Sequence, residues 1–325
     1  MAKRRRRSKR KPSLIFSILG LLITLAIVIA AFFIIFDDVD LSGISLPDTV
    51  KDTIGSLLDE PSTPSTLVDD DAQLYMYVID VGQGSSTLFY CDGRSVMVDA
   101  GDNGQGAVVA THLQALGIDT IDLLIATHPH ADHIGGVAEL MEAVDVQNII
   151  MPDLPTSLTP TTKTYTDMMA VIESQNTEVY AAATGDVYDI GQMQVEILGP
   201  VRAFNNLNDM SVITRIVFGN RAIVVTGDAE EGAEKALLSF TNNLSADIYV
   251  AGHHGSNTSN SAEFVSAISP TYAAISAGAG NSYGHPHQEI LDLFESADIT
   301  CYRTDISGSI MFIISQTGIT VECEK

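Results

Sequence analysis

Apolar and polar residues are distributed very differently in the first seventy residues and in the rest of the chain. Residues 13–36 form one uncharged run rich in Leu, Ile, Ala and Phe, closed by Asp37 and Asp38. From Gln73 onward, short apolar segments alternate with segments of helical period. Strands are expected at 74–80, 86–90, 94–99, 121–127, 192–198, 211–218, 221–226, 246–251, 271–276, 299–303, 308–315 and 318–323. Helices are expected at 104–116, 134–144, 163–174, 230–240, 261–268 and 287–296. Several strands, such as IDLLIAT at 121–127, are apolar without alternation, which suggests sheets covered on both faces. Helices interspersed among such strands predict a layered α/β sandwich. Residues 37–72 carry Asp-Asp pairs, PSTPST and DDD, and read as a solvated tether with a short helical piece near 48–58. There is no tandem repeat and no helix-turn-helix. The glycines of GDNGQG at 101–106 lack the lysine of a phosphate loop and suit a strand-to-helix turn.

The uncharged run is long enough to span a bilayer, for which about 20 apolar residues suffice, whereas the apolar part of a signal peptide is roughly 7–15 residues. An uncleaved anchor is therefore preferred over a cleaved leader. The preceding segment KRRRRSKRK holds eight Lys/Arg and no acid, which places the N-terminus in the cytoplasm and the chain beyond Asp37 outside. The expected organisation is a basic cytoplasmic tail at 1–12, a transmembrane anchor at 13–36, an acidic Ser/Pro linker at 37–72 and a folded domain at 73–325.

Charge narrows the partners. Of 17 Lys/Arg, only nine lie beyond the anchor, against all 41 Asp/Glu, so the exported part carries a charge near −32. Such a surface favours small or cationic partners and disfavours long polyanions, whose non-specific binding depends on Lys/Arg neutralising phosphates. Cys91, Cys301 and Cys323 are too few for a disulfide framework; Cys301 and Cys323, on neighbouring C-terminal strands, are the one pair that could bridge.

The strongest chemical signal is THPHADH at 127–133, directly after the apolar strand 121–127 and directly before a helix. Four potential ligands fall within six residues. His128 and His130 can converge on one metal while Asp132 and His133, turning into the helix, reach a second. Imidazole and carboxylate donors without thiolate suit Zn²⁺ best, with Mn²⁺ or Fe²⁺ as alternatives. A polar surface loop that merely contains histidines need not follow a core strand.

With these residues in view, HPHADHIGG resembles the H-x-H-x-D-H signature of metallo-β-lactamase-fold hydrolases. DVGQG at 80–84, VMVDAG at 96–101, HPHADHIGG at 128–136, TGDAE at 226–230, GHHGS at 252–256 and YGHP at 283–286 resemble, in order, the C-terminal hydrolase domain of the competence protein ComEC family. Similar spacing occurs in bacterial phosphorylcholine esterases. The resemblance covers about residues 73–325 and implies the metallo-β-lactamase αββα sandwich with two divalent metals. One departure stands out: the competence proteins usually continue DVGQG with Asp, where this chain has Ser85.

No His occurs between 134 and 252, so the third ligand of the first metal must come from His253, His254, His285 or His287, His112 being better placed for a structural role in its helix. Asp228, ending the strand RAIVVTGD, is expected to bridge both metals, as the matching Asp does in the family. His254 or His253 would complete the first set with His128 and His130, and His285 the second with Asp132 and His133. Adjacent residues diverge, so one of the pair is a ligand. His254 is preferred, leaving His253 to bind substrate or protonate the leaving group. Asp132, Asp228 and His253 are thus the catalytic candidates, and Asp99, ending the strand 94–99, is expected to orient a metal-bound His or water.

A rival motif, GNSYG at 280–284, satisfies G-x-S-x-G, but a nucleophile elbow needs a strand ending at its Ser, and here the strand ends near Ser276. The expected reaction is hydrolysis: two metals roughly 3.5–4 Å apart bring a bridging water's pKa toward neutrality. A small or surface-attached phosphoester is the leading substrate. The alternatives are a nuclease connected with DNA uptake, favoured by the resemblance and disfavoured by charge, and a surface metal-binding module without catalysis.

Overall fold

Strand β1 (Leu74–Val78) sets the pattern for the domain: Leu74, Met76 and Val78 are buried, while Tyr75 and Tyr77 are half-buried on the other face. The computed structural model describes residues 72–241 and 243–325. The expected anchor at 13–36, and the linker as far as residue 71, lie outside the described residues. Among the described residues no helix is long and apolar enough to cross a membrane.

The strands run in chain order β2 (Thr87–Cys91), β3 (Arg94–Val98), β4 (Thr120–Ile121), β5 (Leu123–Ile125), β6 (Asp145–Val146), β7 (Asn148–Pro152), β8 (Glu178–Ala182), β9 (Val187–Ile190), β10 (Met193–Gly199), β11 (Ile213–Phe218), β12 (Arg221–Val225), β13 (Ile248–Val250), β14 (Tyr272–Ile275), β15 (Thr300–Arg303), β16 (Ile310–Ile314) and β17 (Ile319–Cys323). One sheet has eight strands in the order β17-β16-β1-β2-β3-β5-β7-β8, and a second has seven in the order β15-β14-β13-β12-β11-β10-β9. Each is antiparallel on one side and parallel on the other, the change falling between β3 and β5 in the first and between β12 and β13 in the second. In both sheets the parallel side sends its connections through helices.

The helices are α1 (Gly106–Ala115), α2 (Ala131–Ile134), α3 (Val137–Ala143), α4 (Lys163–Gln175), α5 (Glu231–Phe240), α6 (Ala262–Ile268), α7 (Gln288–Ser296) and α8 (Thr304–Ser307). Three buried layers result. The central one packs Met76, Phe89, Val98 and Ile125 of the first sheet against Val195, Phe218, Val225 and Val250 of the second. An outer layer sets Leu88 and Met97 against Leu113 of α1, Leu140 of α3 and Met168 of α4. The opposite outer layer sets Val224, Tyr249 and Ala273 against Leu237 of α5, Phe264 of α6 and Phe294 of α7. This is the expected αββα sandwich. Sheets buried on both faces explain why β5 and β13 are wholly apolar.

Several elements differ from expectation. The single helix expected at 134–144 is two, broken at Gly135 and Gly136, because both glycines press on the turn after β3; a Cβ at Gly136 would lie 2.1 Å from the Ala100 carbonyl oxygen. Strands β6, β7, β8 and β9 were not anticipated. β8 is an edge strand with four exposed residues, so it shows no apolar face to read. The strand expected from 211 begins at Ile213, since Ser211 and Val212 turn toward the chemistry described below. Cys301 and Cys323 are free and sit on edge strands of different sheets, because the chain crosses after β15 to pair β16 with β1. In the GNSYG segment Ser282 lies exposed in a loop between β14 and α7, with no strand leading into it.

Candidate metal centre

The candidate residues gather where strands end. β5 delivers Thr127 and His128, α2 carries Asp132 and His133, the turn after β12 carries Asp228, and the turn after β13 carries His253 and His254. Glycines allow these loops to touch. Gly227 has φ +53, and a Cβ there would lie 2.8 Å from the Thr127 side chain; a Cβ on Gly84 would lie 2.7 Å from the Asp132 carbonyl oxygen, which instead accepts the Ser85 N–H at 2.9 Å. Ser85, at the position where the competence family usually has Asp, is buried.

Two sets of ligand atoms lie mutually within 4.8 Å: His128, His130 and Asp228 in one, and Asp132, His133, Asp228 and His254 in the other. In the first, His128 Nε2 and His130 Nδ1 converge to 2.9 Å, and His128 Nε2 is 3.6 Å from Asp228 Oδ2. In the second, His133 Nε2 is 3.0 Å from Asp228 Oδ1, and His254 Nε2 is 3.2 Å from Asp132 Oδ2 and 3.9 Å from Asp228 Oδ1. The two oxygens of Asp228 thus face different sets.

This grouping departs from the expected one in two respects. His254 joins Asp132 and His133 rather than His128 and His130, because its turn reaches in beside α2. His285 falls outside both sets. It stacks 6.1 Å from His254 and edge-on 5.5 Å from His253, and Tyr283, exposed at the rim, stacks on it at 5.7 Å. His253 is the more open of the adjacent pair, with Nε2 3.6 Å from Asp228 Oδ2 and Nδ1 3.1 Å from the Thr258 hydroxyl. His112 lies in α1, half-buried and edge-on to Tyr77.

Partners around the ligands set which ring nitrogens face inward. Buried Asp99 accepts the Thr127 N–H on Oδ1 at 2.8 Å and the Thr127 hydroxyl on Oδ2 at 2.8 Å, and His133 Nδ1–H on Oδ2 at 2.6 Å. The Ser276 carbonyl accepts His254 Nδ1–H at 2.9 Å. With both Nδ1 atoms donating outward, Nε2 of each ring is left to face carboxylate oxygens. His133 Nε2 and Asp228 Oδ1 are buried 3.0 Å apart, and neither has another hydrogen-bond partner. Lone pairs set against carboxylates in a buried site call for a cation, and an all-imidazole and carboxylate donor set suits a divalent transition metal.

The same carboxylates draw positive charge onto the His133 ring. Burial opposes charge on His133, but Asp228 and Asp99 outweigh it and raise its pKa well above the ordinary value. Burial opposes the Asp228 carboxylate too, yet His133, His128 and His254 hold its pKa well below the usual range. Asp132 is likewise depressed, the hydrogen bond from His254 and the charge of His133 prevailing over burial. Burial, then His133, pushes His128 well below its ordinary value, and burial lowers His130. These two rings are held neutral and able to coordinate.

Residues 79–279 match the metallo-beta-lactamase superfamily. The chain belongs to that superfamily. Metallo-beta-lactamase proteins include hydrolases, and the two ligand sets sit within the matched span. ComE operon protein 3 of Bacillus subtilis is 30% identical over 255 residues, covering 72% of this chain and 32% of its own length. Competence protein ComA of Neisseria gonorrhoeae is 29% identical over 265 residues, covering 80% of this chain and 35% of its own. The chain spans about a third of the length of these curated relatives. Among solved structures, the CmlA β-hydroxylase of Streptomyces venezuelae superposes with a TM-score of 0.50 at 14% identity, covering 84% of this chain and 60% of that one. That likeness concerns the fold alone.

Sequence reasoning did not find Thr258, Ser211 or Asn260. Ser211 Oγ accepts the Asp228 N–H at 3.1 Å, while the Thr127 carbonyl accepts the Val212 N–H at 2.8 Å, so the start of β11 ties two loops of the site together. A Ser inside an expected strand carries no signal for that role.

Proposed function

We propose that this chain is a membrane-anchored hydrolase acting outside the cytoplasm on a small or surface-attached phosphoester, with two divalent metals, Zn²⁺ by preference and Mn²⁺ next. The observation that carries this reading is the division of Asp228, whose Oδ1 faces His133 and His254 while Oδ2 faces His128. Two ligand sets sharing one carboxylate suit an in-line displacement at phosphorus. His128, His130 and Asp228 would hold one metal; Asp132, His133, His254 and Asp228 the other.

Bound there, the metals would supply a water deprotonated near neutral pH and Lewis acidity toward the phosphoryl oxygens. The chain's own groups do the rest. Asp99 keeps the His133 proton on Nδ1, so that Nε2 stays free for coordination. His253, with its Nδ1 against the Thr258 hydroxyl and its Nε2 turned toward the site, is positioned to pass a proton from Nε2 to the departing oxygen. Tyr283 and His285 form one wall of the entrance. The apolar run at 13–36 with its basic flank supports the anchor and the outward orientation.

A second reading is a nuclease connected with DNA uptake. The name of one relative, a competence protein, favours it, and the charge near −32 beyond the anchor opposes it. A metal-binding module without catalysis is the third; a second complete ligand set speaks against it. Metal analysis with a panel of chromogenic esters and labelled single-stranded DNA separates them. With nine Lys/Arg beyond the anchor, about two or fewer phosphates should be neutralised, so cleavage of a small diester should be nearly independent of salt and DNA binding weak. Tight DNA binding with a steep salt slope would replace the phosphoester reading with the nuclease.

A further inference from the structure

Asn260 is buried and lies outside every motif used above. Its amide oxygen accepts the Gly252 N–H and the Tyr249 O–H, each at 2.9 Å. Its amide nitrogen donates to the Gly252 carbonyl at 2.9 Å and to the Ser256 carbonyl at 3.0 Å. An Asn side chain has two donor hydrogens and two acceptor lone pairs, and here all four are used. They join the first residue of the 252–256 turn to the last, so the amide spans the His253–His254 pair. From behind, buried Glu234 of α5 accepts the Asn260 N–H at 2.6 Å and the Ser261 N–H at 3.0 Å.

The turn needs such a clamp. His253 and His254 both have left-handed backbones, with φ of 51° and 55°. Residues with a side chain visit that region singly rather than in runs, and a consecutive pair persists only where its surroundings fix it. Its effect is to send the two rings apart: His254 Nε2 reaches Asp132 Oδ2 while His253 Nε2 stays on the Asp228 Oδ2 side. Relaxation toward ordinary backbone would swing both.

We infer that Asn260 is a positioning residue for the metal centre, holding the left-handed turn that aims His254 at Asp132 and Asp228, with Glu234 locking Asn260 in place. The inference rests on the two-metal reading of the site. The test is a calorimetric Zn²⁺ titration of the metal-free full chain, with Co²⁺ absorption spectra and thermal melts. Asn260 has φ +64, where glycine is unstrained, so Asn260→Gly removes the amide without forcing the backbone. One of the two Zn²⁺ equivalents should weaken by about 10- to 100-fold, with an altered Co²⁺ band, while the other is unchanged. Asn260→Asp keeps the acceptor but turns a carboxylate oxygen on the Gly252 and Ser256 carbonyls, and should weaken the same equivalent at least as far as the glycine variant. Glu234→Gln, which loosens the lock behind Asn260 and keeps its amide, should weaken it less and carries the test if the Asn260 variants do not fold. Leu237→Ala, a buried change in α5, should lower the melting temperature and leave both equivalents intact. Parent-like binding of both equivalents by the Asn260 variants, or equal weakening of both, would overturn the inference alone. A parent chain that takes up no Zn²⁺ would overturn the two-metal reading and this inference together.

Discussion

Replacing Asp99 by Asn changes one atom at the back of the centre and should be felt at its front. Asp99 has φ +59, a region that Asn tolerates, so the backbone is not strained by the change. Oδ1 can keep the Thr127 N–H at 2.8 Å, and an NH₂ group then stands in place of Oδ2, 2.6 Å from His133 Nδ1. Two N–H groups cannot face one another at that distance, so His133 must move its proton to Nε2, the atom that faces Asp228 Oδ1 at 3.0 Å. A protonated Nε2 has no lone pair to give. Loss of an orienting partner of this kind typically weakens metal binding 10- to 100-fold, or about 1.4–2.7 kcal/mol, and it should fall on the equivalent held by Asp132, His133 and His254. The assay is a Zn²⁺ titration of the metal-free Asp99→Asn chain beside the parent, with the imidazole ¹⁵N spectrum reporting which ring nitrogen of His133 carries the proton. Unchanged affinity for both equivalents, with only a lower melting temperature, would refute the reasoning and leave Asp99 as a residue that merely ends a strand.

Three further outcomes are expected. The full chain should fractionate with membranes, and protease added to intact cells should remove residues 73–325; the domain free in the medium would instead indicate a cleaved leader. The chain should bind two equivalents of transition metal, and His130→Ala or Asp228→Ala should abolish ester hydrolysis with little change in circular dichroism, a result that metal occupancy near zero in protein purified without chelator would contradict. Burial, with the neighbouring imidazoles of His254 and His253, lowers the His285 pKa to about 4. Since the folded value is depressed, its contribution to stability is full above the ordinary His pKa of about 6.5 and is lost as pH falls toward 4. Thermal melts of metal-free His285→Gln between these values should therefore fall less steeply than those of the parent, and identical slopes would exclude the effect.

Much of the site was legible because metal ligation demands particular residue types at short spacing. THPHADH announces itself after a core strand, and Asp228 follows from its place at the end of β12. The partition of ligands was not legible, since it depends on a turn whose two residues are both left-handed, a conformation that no periodicity encodes. His254 and His285 therefore sit in a different grouping from the one expected. In the fold, β5, β12 and β13 could be read from their apolar runs, whereas β8 could not, because an exposed edge strand buries too little to leave a pattern. The interruption between α2 and α3 had a visible cue in Gly135-Gly136, but its cause is the turn that presses on them from more than thirty residues earlier in the chain.

Asp228 belongs to both ligand sets, and its position in the chain has a consequence for how the domain matures. Neither set is complete in the N-terminal half of the sequence: His128 and His130 wait for Asp228, and Asp132 and His133 wait for Asp228 and His254. The first sheet contributes one side of every set and the second sheet the other. A chain emerging from its N-terminus, whether from a ribosome or across a membrane, can offer a metal two or three donors but not a closed site until both sheets have met. Tight capture would then be an event of completed assembly, and a metal held there would act as a rivet across the sandwich rather than as a nucleus for it. Truncation after β10 should leave a fragment with weak and unselective metal binding, and chelation of the intact domain should loosen first the contacts between the two sheets at the end where the loops converge.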